Sequence, residues 1–207
     1  MAGHAWVAAA RIADLGAPAL ARARRRLGPL DRRRFARFRS AKRRREFLAA
    51  RCLLQRLGKG LPFDSAADGG VKMAGRFGAS VSHARGWVAC VVVSAGRPGV
   101  DIEPMIERDF ARLGEWQFGK TGSREEFYQR WTRHEARIKA HGDGKPRASH
   151  RERTWTIGDK VALSVCVPAR ALLGLDVRFL DDARPLRPLG ADRGRQRLGR
   201  AAHGVGA

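Results

Sequence analysis

The amino-acid sequence predicts an α+β protein, and three observations carry the prediction. Residues 40–57 and 124–140 each place apolar side chains at helical spacing. Residues 87–93 and 161–167 are valine-rich apolar runs too short for a core helix and suited to buried strands. The order helix, then strands, occurs twice along the chain.

Each element follows from its own residues. In 40–57, Phe47, Ala50, Leu54 and Leu57 recur three or four apart, and Gly58 and Gly60 end the pattern. Upstream, 21–45 is dense in arginine, with Leu27, Leu30, Phe35 and Phe38 spaced as a thin apolar stripe on cationic helices. Pro62, Gly69, Gly70, Gly75 and Gly78 make 61–78 a long irregular connection. Residues 79–81 and 87–93 read as strands, 95–98 as a turn, and 99–103 as the returning strand that Pro104 stops. A polar segment at 114–123 precedes the second strong helix, 124–140. That helix carries Phe127, Trp131 and Ile138 on one stripe and ends at Gly142 and Gly144. Residues 155–157 and 161–167 flank Gly158-Asp159 as a β-hairpin. From 184 onward, Arg, Gly, Pro and Ala dominate, so 184–207 is expected to be a disordered basic tail.

Composition narrows the function without choosing it. Forty-two Lys+Arg against 20 Asp+Glu give a net charge of +22 in 207 residues, a balance that calls for anionic partners. Nucleic acid satisfies it, as do a phosphorylated cofactor and an acidic protein. Against nucleic acid, the chain carries no recognised reader motif and its strands lack an aromatic stacking platform. Cys52, Cys90 and Cys166 stand singly in apolar stretches, the pattern of reduced core thiols, so neither zinc nor a disulfide is expected. The N-terminus lacks the pattern of a secretory signal, and no apolar run reaches the roughly 18 residues of a membrane span. The expectation is a cytoplasmic protein without membrane contact.

Three segments carry groups suited to chemistry. In Gly99-Val100-Asp101-Ile102-Glu103, strand alternation turns Asp101 and Glu103 to one face, roughly 7 Å apart along the backbone. Two like charges there need a counter-charge, which a hard divalent cation supplies; two ordinary solvated acids are the plainer alternative. In 131–139, an advance of about 100° per residue puts Glu135 at the edge of the apolar stripe and Lys139 one turn on. There they suit metal or proton chemistry and phosphate neutralisation, or simply form a helical ion pair. Ser80 and Ser82 share a strand face and His83 lies at the strand end, a donor set fit for phosphate or an ordinary polar turn.

Taken together, these segments resemble the 4′-phosphopantetheinyl transferases. Gly99-Val100-Asp101-Ile102-Glu103, followed about thirty residues later by Trp131-Thr132-x-x-Glu135-Ala136-x-x-Lys139, is similar to that family's paired signature. Ser82-His83 stands where the family has Ser-His, and 45–51 looks like its basic helix segment. The similarity covers roughly 40–167 and is greatest to the longer, pseudo-dimeric bacterial branch. The sequence departs from the family at His134, where lysine is usual, and at Gly70-Val71-Lys72-Met73, where Gly-Lys-Pro or Gly-Arg-Pro is common.

The resemblance implies a fold and a reaction. The fold is two similar halves of helix on antiparallel sheet related by a pseudo-twofold: 1–97 with the basic helices and the Ser-His strand, and 98–183 with the acidic strand and its helix. The reaction moves 4′-phosphopantetheine from coenzyme A to a serine of an acidic acyl or peptidyl carrier protein, releasing adenosine 3′,5′-bisphosphate. Asp101, Glu103 and Glu135 would hold Mg²⁺ on the pyrophosphate; Glu135 would take the serine proton and Lys139 would stabilise phosphate charge. Ser82 and His83 would contact the phosphates of coenzyme A together with Lys72, and either Arg45 or Arg51 would pair its 3′-phosphate. A monomer is expected. The alternatives are a basic nucleic-acid-binding protein and a transferase-like chain without activity.

Overall fold

In chain order, the computed structural model has β1 (Ala5–Arg11), a 3-10 turn (Ile12–Asp14), α1 (Ala17–Arg25), α2 (Pro29–Arg37) and α3 (Ala41–Leu57). There follow β2 (Phe63–Ser65), β3 (Val71–Met73), β4 (Gly78–Ala84), β5 (Trp87–Val93) and β6 (Gly99–Pro104). The rest comprises α4 (Phe110–Phe118), α5 (Arg124–His141), β7 (His150–Ile157), β8 (Val161–Pro168), a 3-10 segment (Ala169–Gly174), β9 (Leu175–Asp181) and β10 (Arg184–Pro188). The structure describes residues 3–67, 69–107, 109–119, 122–158, 160–181 and 184–188, the side chains of 172–188 excepted. No helix among the described residues is long and apolar enough to cross a membrane.

The strands form two sheets, in the orders β10-β9-β1-β5-β4-β3-β2 and β6-β8-β7. All pairings are antiparallel except β1 with β9. Ala5, Val7, Ala9, Ala89, Val91 and Val93 of the first sheet pack on Val100, Ile102, Leu163, Val165 and Val167 of the second. Outside the first sheet, Ala8, Val88, Cys90 and Val92 meet Ala49, Ala50, Leu53 and Leu54 of α3. Outside the second, Cys166 meets Ala136 and Ala140 of α5. The layers therefore run helix, sheet, sheet, helix, which is the α+β class expected from the sequence.

Several boundaries differ from expectation. The arginine-rich stretch divides into α1, α2 and the start of α3, because Gly28-Pro29 opens α2 with proline at its first turn and Ser40 caps α3 by accepting from the Arg43 amide. The 61–78 connection contains β2 and β3, and the polar segment takes in the second half of α4, which begins before it at Phe110. Part of the stretch assigned to the second half returns to the first sheet, where β9 pairs with β1. Residues 184–188, expected in a disordered tail, form β10 against β9; the remainder of that tail lies outside the described residues.

The buried face of α5 is also rotated from the predicted stripe. Phe127 is buried as expected, but it is Tyr128, Thr132, Ala136 and Ala140 that face the sheet, while Trp131 and Ile138 are only half-buried. The cause is a close approach: a Cβ on Gly99 would lie 1.8 Å from the Ala136 carbonyl oxygen. Only small residues fit a helix pressed so tightly on a strand. The Tyr128 hydroxyl donates to the Ile106 carbonyl at 3.1 Å, so α5 runs antiparallel to β6 and lays Glu135 between the levels of Gly99 and Ile106.

Candidate active site

The two sheets meet along β4 and β6. The Val100 amide donates to Ser80 Oγ at 3.3 Å, and Ser82 Oγ donates to Asp101 Oδ1 at 2.7 Å. Strand alternation produces both contacts: Val100 and Ile102 fill the core between the sheets, so Asp101 turns toward α5. From α5, Lys139 Nζ reaches Asp101 Oδ1 at 2.7 Å, the Val100 carbonyl at 3.0 Å and Ser82 Oγ at 3.1 Å. Three side chains from three elements thus share one point.

Asp101 is only 5% exposed, and its Oδ2 is buried without a hydrogen-bond partner among the described residues. Glu103 lies two residues further along the same strand face, half-buried. Glu135 is half-buried one turn before Lys139, and no described residue pairs with its carboxylate. In kind, these oxygens fit a hard divalent cation, and the bare Oδ2 is the atom that most needs one. In arrangement they are not yet a metal centre: among the described residues, no three His, Cys, Asp or Glu side chains converge as a metal site requires. Asp101 takes its counter-charge from Lys139 instead.

α5 is held in place by hydroxyls. Thr132 Oγ1 donates to the Tyr128 carbonyl at 2.9 Å and lies 2.7 Å from Ser164 Oγ, which lies 2.8 Å from Thr154 Oγ1. Ser164 is the residue paired with Asp101 across β6 and β8, so this chain of hydroxyls sits beside the acid. Arg137 adds a two-pronged contact to Glu152 of β7, at 2.7 and 2.6 Å.

Beside the cluster opens a cavity of about 840 Å³, lined by α2, α3, β3, β4, the 95–98 turn and Lys139. Arg34, Arg43, Arg51, Lys72, Arg97 and Lys139 line it, and no described acid does. Such a wall, with Phe38 and Phe47 within it, favours a ligand that is polyanionic and partly aromatic.

The expected phosphate contacts distribute unevenly over this wall. Lys72 is exposed and lines it, and so does His83, whose Nδ1 is 4.0 Å from Glu46 Oε2. Ser82 lies in the acid cluster. Arg51 borders the cavity but is committed elsewhere: Nε and Nη2 donate to the two oxygens of buried Asp31, both at 2.6 Å, and Nη2 also reaches Ser65 Oγ. Arg45 does not line the cavity and donates to the Ile12 carbonyl at 3.3 Å. Arg43, Arg34 and Arg97 stand in its wall, and sequence reasoning did not single them out. Arg34 bridges to the Gly69 carbonyl at 2.6 Å, and Arg97 donates to the Lys139 carbonyl at 3.0 Å. Helical spacing carried one signal for Arg43, one turn before the cavity residue Phe47.

The two histidines near the end of α5 are packing groups. The His134 ring lies against Gly144, where a Cβ would collide with it, and bonds Gln117 at 3.2 Å. His141 has a side chain 4% exposed; its Nδ1 is 3.3 Å from Asp143 Oδ1 but out of line for a hydrogen bond. Burial, and next the Arg147 guanidinium, hold His141 below the ordinary histidine value, although Asp143 pulls the other way. Cys52, Cys90 and Cys166 are all buried, and burial pushes the Cys166 thiol up to about 11.

No protein-family model matches this chain, and no curated protein matches it.

Proposed function

We propose that the protein is a 4′-phosphopantetheinyl transferase that uses Mg²⁺ to move the phosphopantetheine arm of coenzyme A onto a serine of an acidic carrier protein. One observation carries this reading: Ser82, Asp101 and Lys139, up to 57 residues apart in sequence, bond to one another beside a cavity walled by cations. The layer order of helix, sheet, sheet and helix supports the pseudo-twofold fold of that family.

Coenzyme A would lie in the cavity with its pyrophosphate at Lys139 and Ser82. Lys72, His83 and Arg43 would share its remaining phosphate charge, with Arg43 taking the part first expected of Arg45 or Arg51. The carrier serine oxygen attacks the β-phosphorus, the bond to the bridging oxygen breaks, and adenosine 3′,5′-bisphosphate leaves. Glu135, half-buried and unpaired among the described residues, takes the serine proton. Held by Asp101, Glu103 and Glu135, Mg²⁺ would supply charge neutralisation on the pyrophosphate. In such transfers, positioning and electrostatics supply most of the rate. The exposed arginines of α1 and α2, Arg22, Arg25, Arg32 and Arg33 among them, suit an acidic carrier.

Binding measured by calorimetry tests this reading against nucleic-acid binding. Coenzyme A is expected to bind with one site, and Arg43→Ala and Lys72→Ala each to weaken it. Tight binding of duplex DNA with no heat from coenzyme A would reject the transferase.

A further inference from the structure

We infer that Lys139 is a placeholder cation, which occupies Asp101 in the free protein and gives it up when a divalent metal and coenzyme A bind together. The inference rests on the transferase reading and adds to it a thermodynamic coupling between the two ligands.

An ammonium group has three N–H bonds. Lys139 Nζ has three partners within the protein: Asp101 Oδ1, Ser82 Oγ and the Val100 carbonyl. None is left for a phosphate oxygen, so Lys139 can serve the cavity it lines only by releasing one of them. Asp101 is in the complementary position. Both the Lys139 ammonium and the Ser82 hydroxyl donate to Oδ1, while Oδ2 is buried with no partner among the described residues. A carboxylate at 5% exposure with one bare oxygen retains capacity for a second cation.

The two cations compete. A metal on Oδ2 would stand within a few ångströms of Nζ, and like charges at that range repel strongly in a partly dry site. In the free protein, therefore, Lys139 opposes the metal. A phosphate in the cavity offers the ammonium another partner, and its side chain, 30% exposed on a flexible four-carbon stem, has room to turn. Moving Lys139 onto phosphate frees Asp101 for metal, and metal on Asp101 drives Lys139 toward phosphate. Each ligand strengthens the other by the same factor.

Titrating Mn²⁺ into the full chain, with free ion read by electron paramagnetic resonance, tests this without any assay of transfer. The wild type is expected to bind Mn²⁺ weakly alone and at least about fivefold more tightly with coenzyme A, the low end of ordinary coupling. Without coenzyme A, Lys139→Met should bind Mn²⁺ at least about fivefold more tightly than wild type. Lys139→Arg, which keeps the charge, should stay weak, and adding Asp101→Asn to Lys139→Met should cancel the gain. If Lys139→Met binds no more tightly than wild type, or if Lys139→Arg gains as much, the placeholder role is wrong. Coenzyme-A-dependent Mn²⁺ binding by the wild type would then leave the transferase reading standing. Loss of binding of both ligands in every variant and in the wild type would remove that reading too.

Discussion

The two outer helices solve the same packing problem in opposite ways. α3 meets the first sheet with Leu53, Leu54 and Leu57, large side chains buried in a thick apolar layer that excludes water. α5 meets the second sheet with Ala136, Ala140 and Thr132, so close that its backbone nearly touches Gly99 and its hydroxyl bonds Ser164. Apolar burial stabilises in proportion to area and tolerates reshaping. Hydrogen bonds and close backbone contact fix position instead. The helix that carries Glu135 and Lys139 is the one held by position, whereas α3 supplies bulk apolar burial.

Substitutions sharpen that contrast, beginning with the largest expected effect. Asp31→Ala strands buried Arg51 beneath the α3 side and should cost about 3–5 kcal/mol in urea denaturation. A loss below about 1 kcal/mol would mean that water or another acid replaces Asp31. Gly99→Ala forces α5 off β6 and should cost about 1–3 kcal/mol, whereas the volume-conserving Leu53→Met on α3 should cost less than about 1.5 kcal/mol. Equal tolerance at both sites would erase the distinction between the two contacts. Thr132→Val removes one buried hydroxyl contact and should cost about 1 kcal/mol. It should lower kcat for the proposed transfer while leaving KM for coenzyme A near its wild-type value.

The smallest effect concerns pH. The His141 value is depressed in the folded protein, so the unfolded chain binds the proton first as pH falls through about 6.5. Stability should therefore decline from that pH down to the folded value and be unaffected by His141 above it. His141→Gln should flatten this acid limb in thermal melts at a series of pH values. An unchanged slope would assign the acid sensitivity to another group.

Legibility in the sequence followed physical cause. β5 is foreseen to the residue, because its run of valines has no other use, and β6 is foreseen because Pro104 ends it. The facing of Asp101 away from Val100 and Ile102 follows from period two alone. β1 was not foreseen: Ala5, Val7 and Ala9 face one layer and Ala8 and Ala10 the other, so no alternation marks it and alanine has little β preference. The buried face of α5 departs from its stripe of large apolar residues because the closest contacts with β6 select small ones. The cluster of Ser82, Asp101 and Lys139 was legible as motifs, but the direct bond between Asp101 and Lys139 was not, because it depends on how two elements approach in space. Arg34 and Arg43 were hidden among many arginines, and only the fold separates those in the cavity wall from those facing solvent.

Mass spectrometry of an apo carrier protein, incubated with this protein, coenzyme A and Mg²⁺, tests the proposed reaction most directly. The carrier should gain the mass of one phosphopantetheine group on a serine, with adenosine 3′,5′-bisphosphate released in equal amount and both lost in Asp101→Ala. An unmodified carrier alongside protein that binds both coenzyme A and metal would contradict the transfer, as would modification that persists in Asp101→Ala.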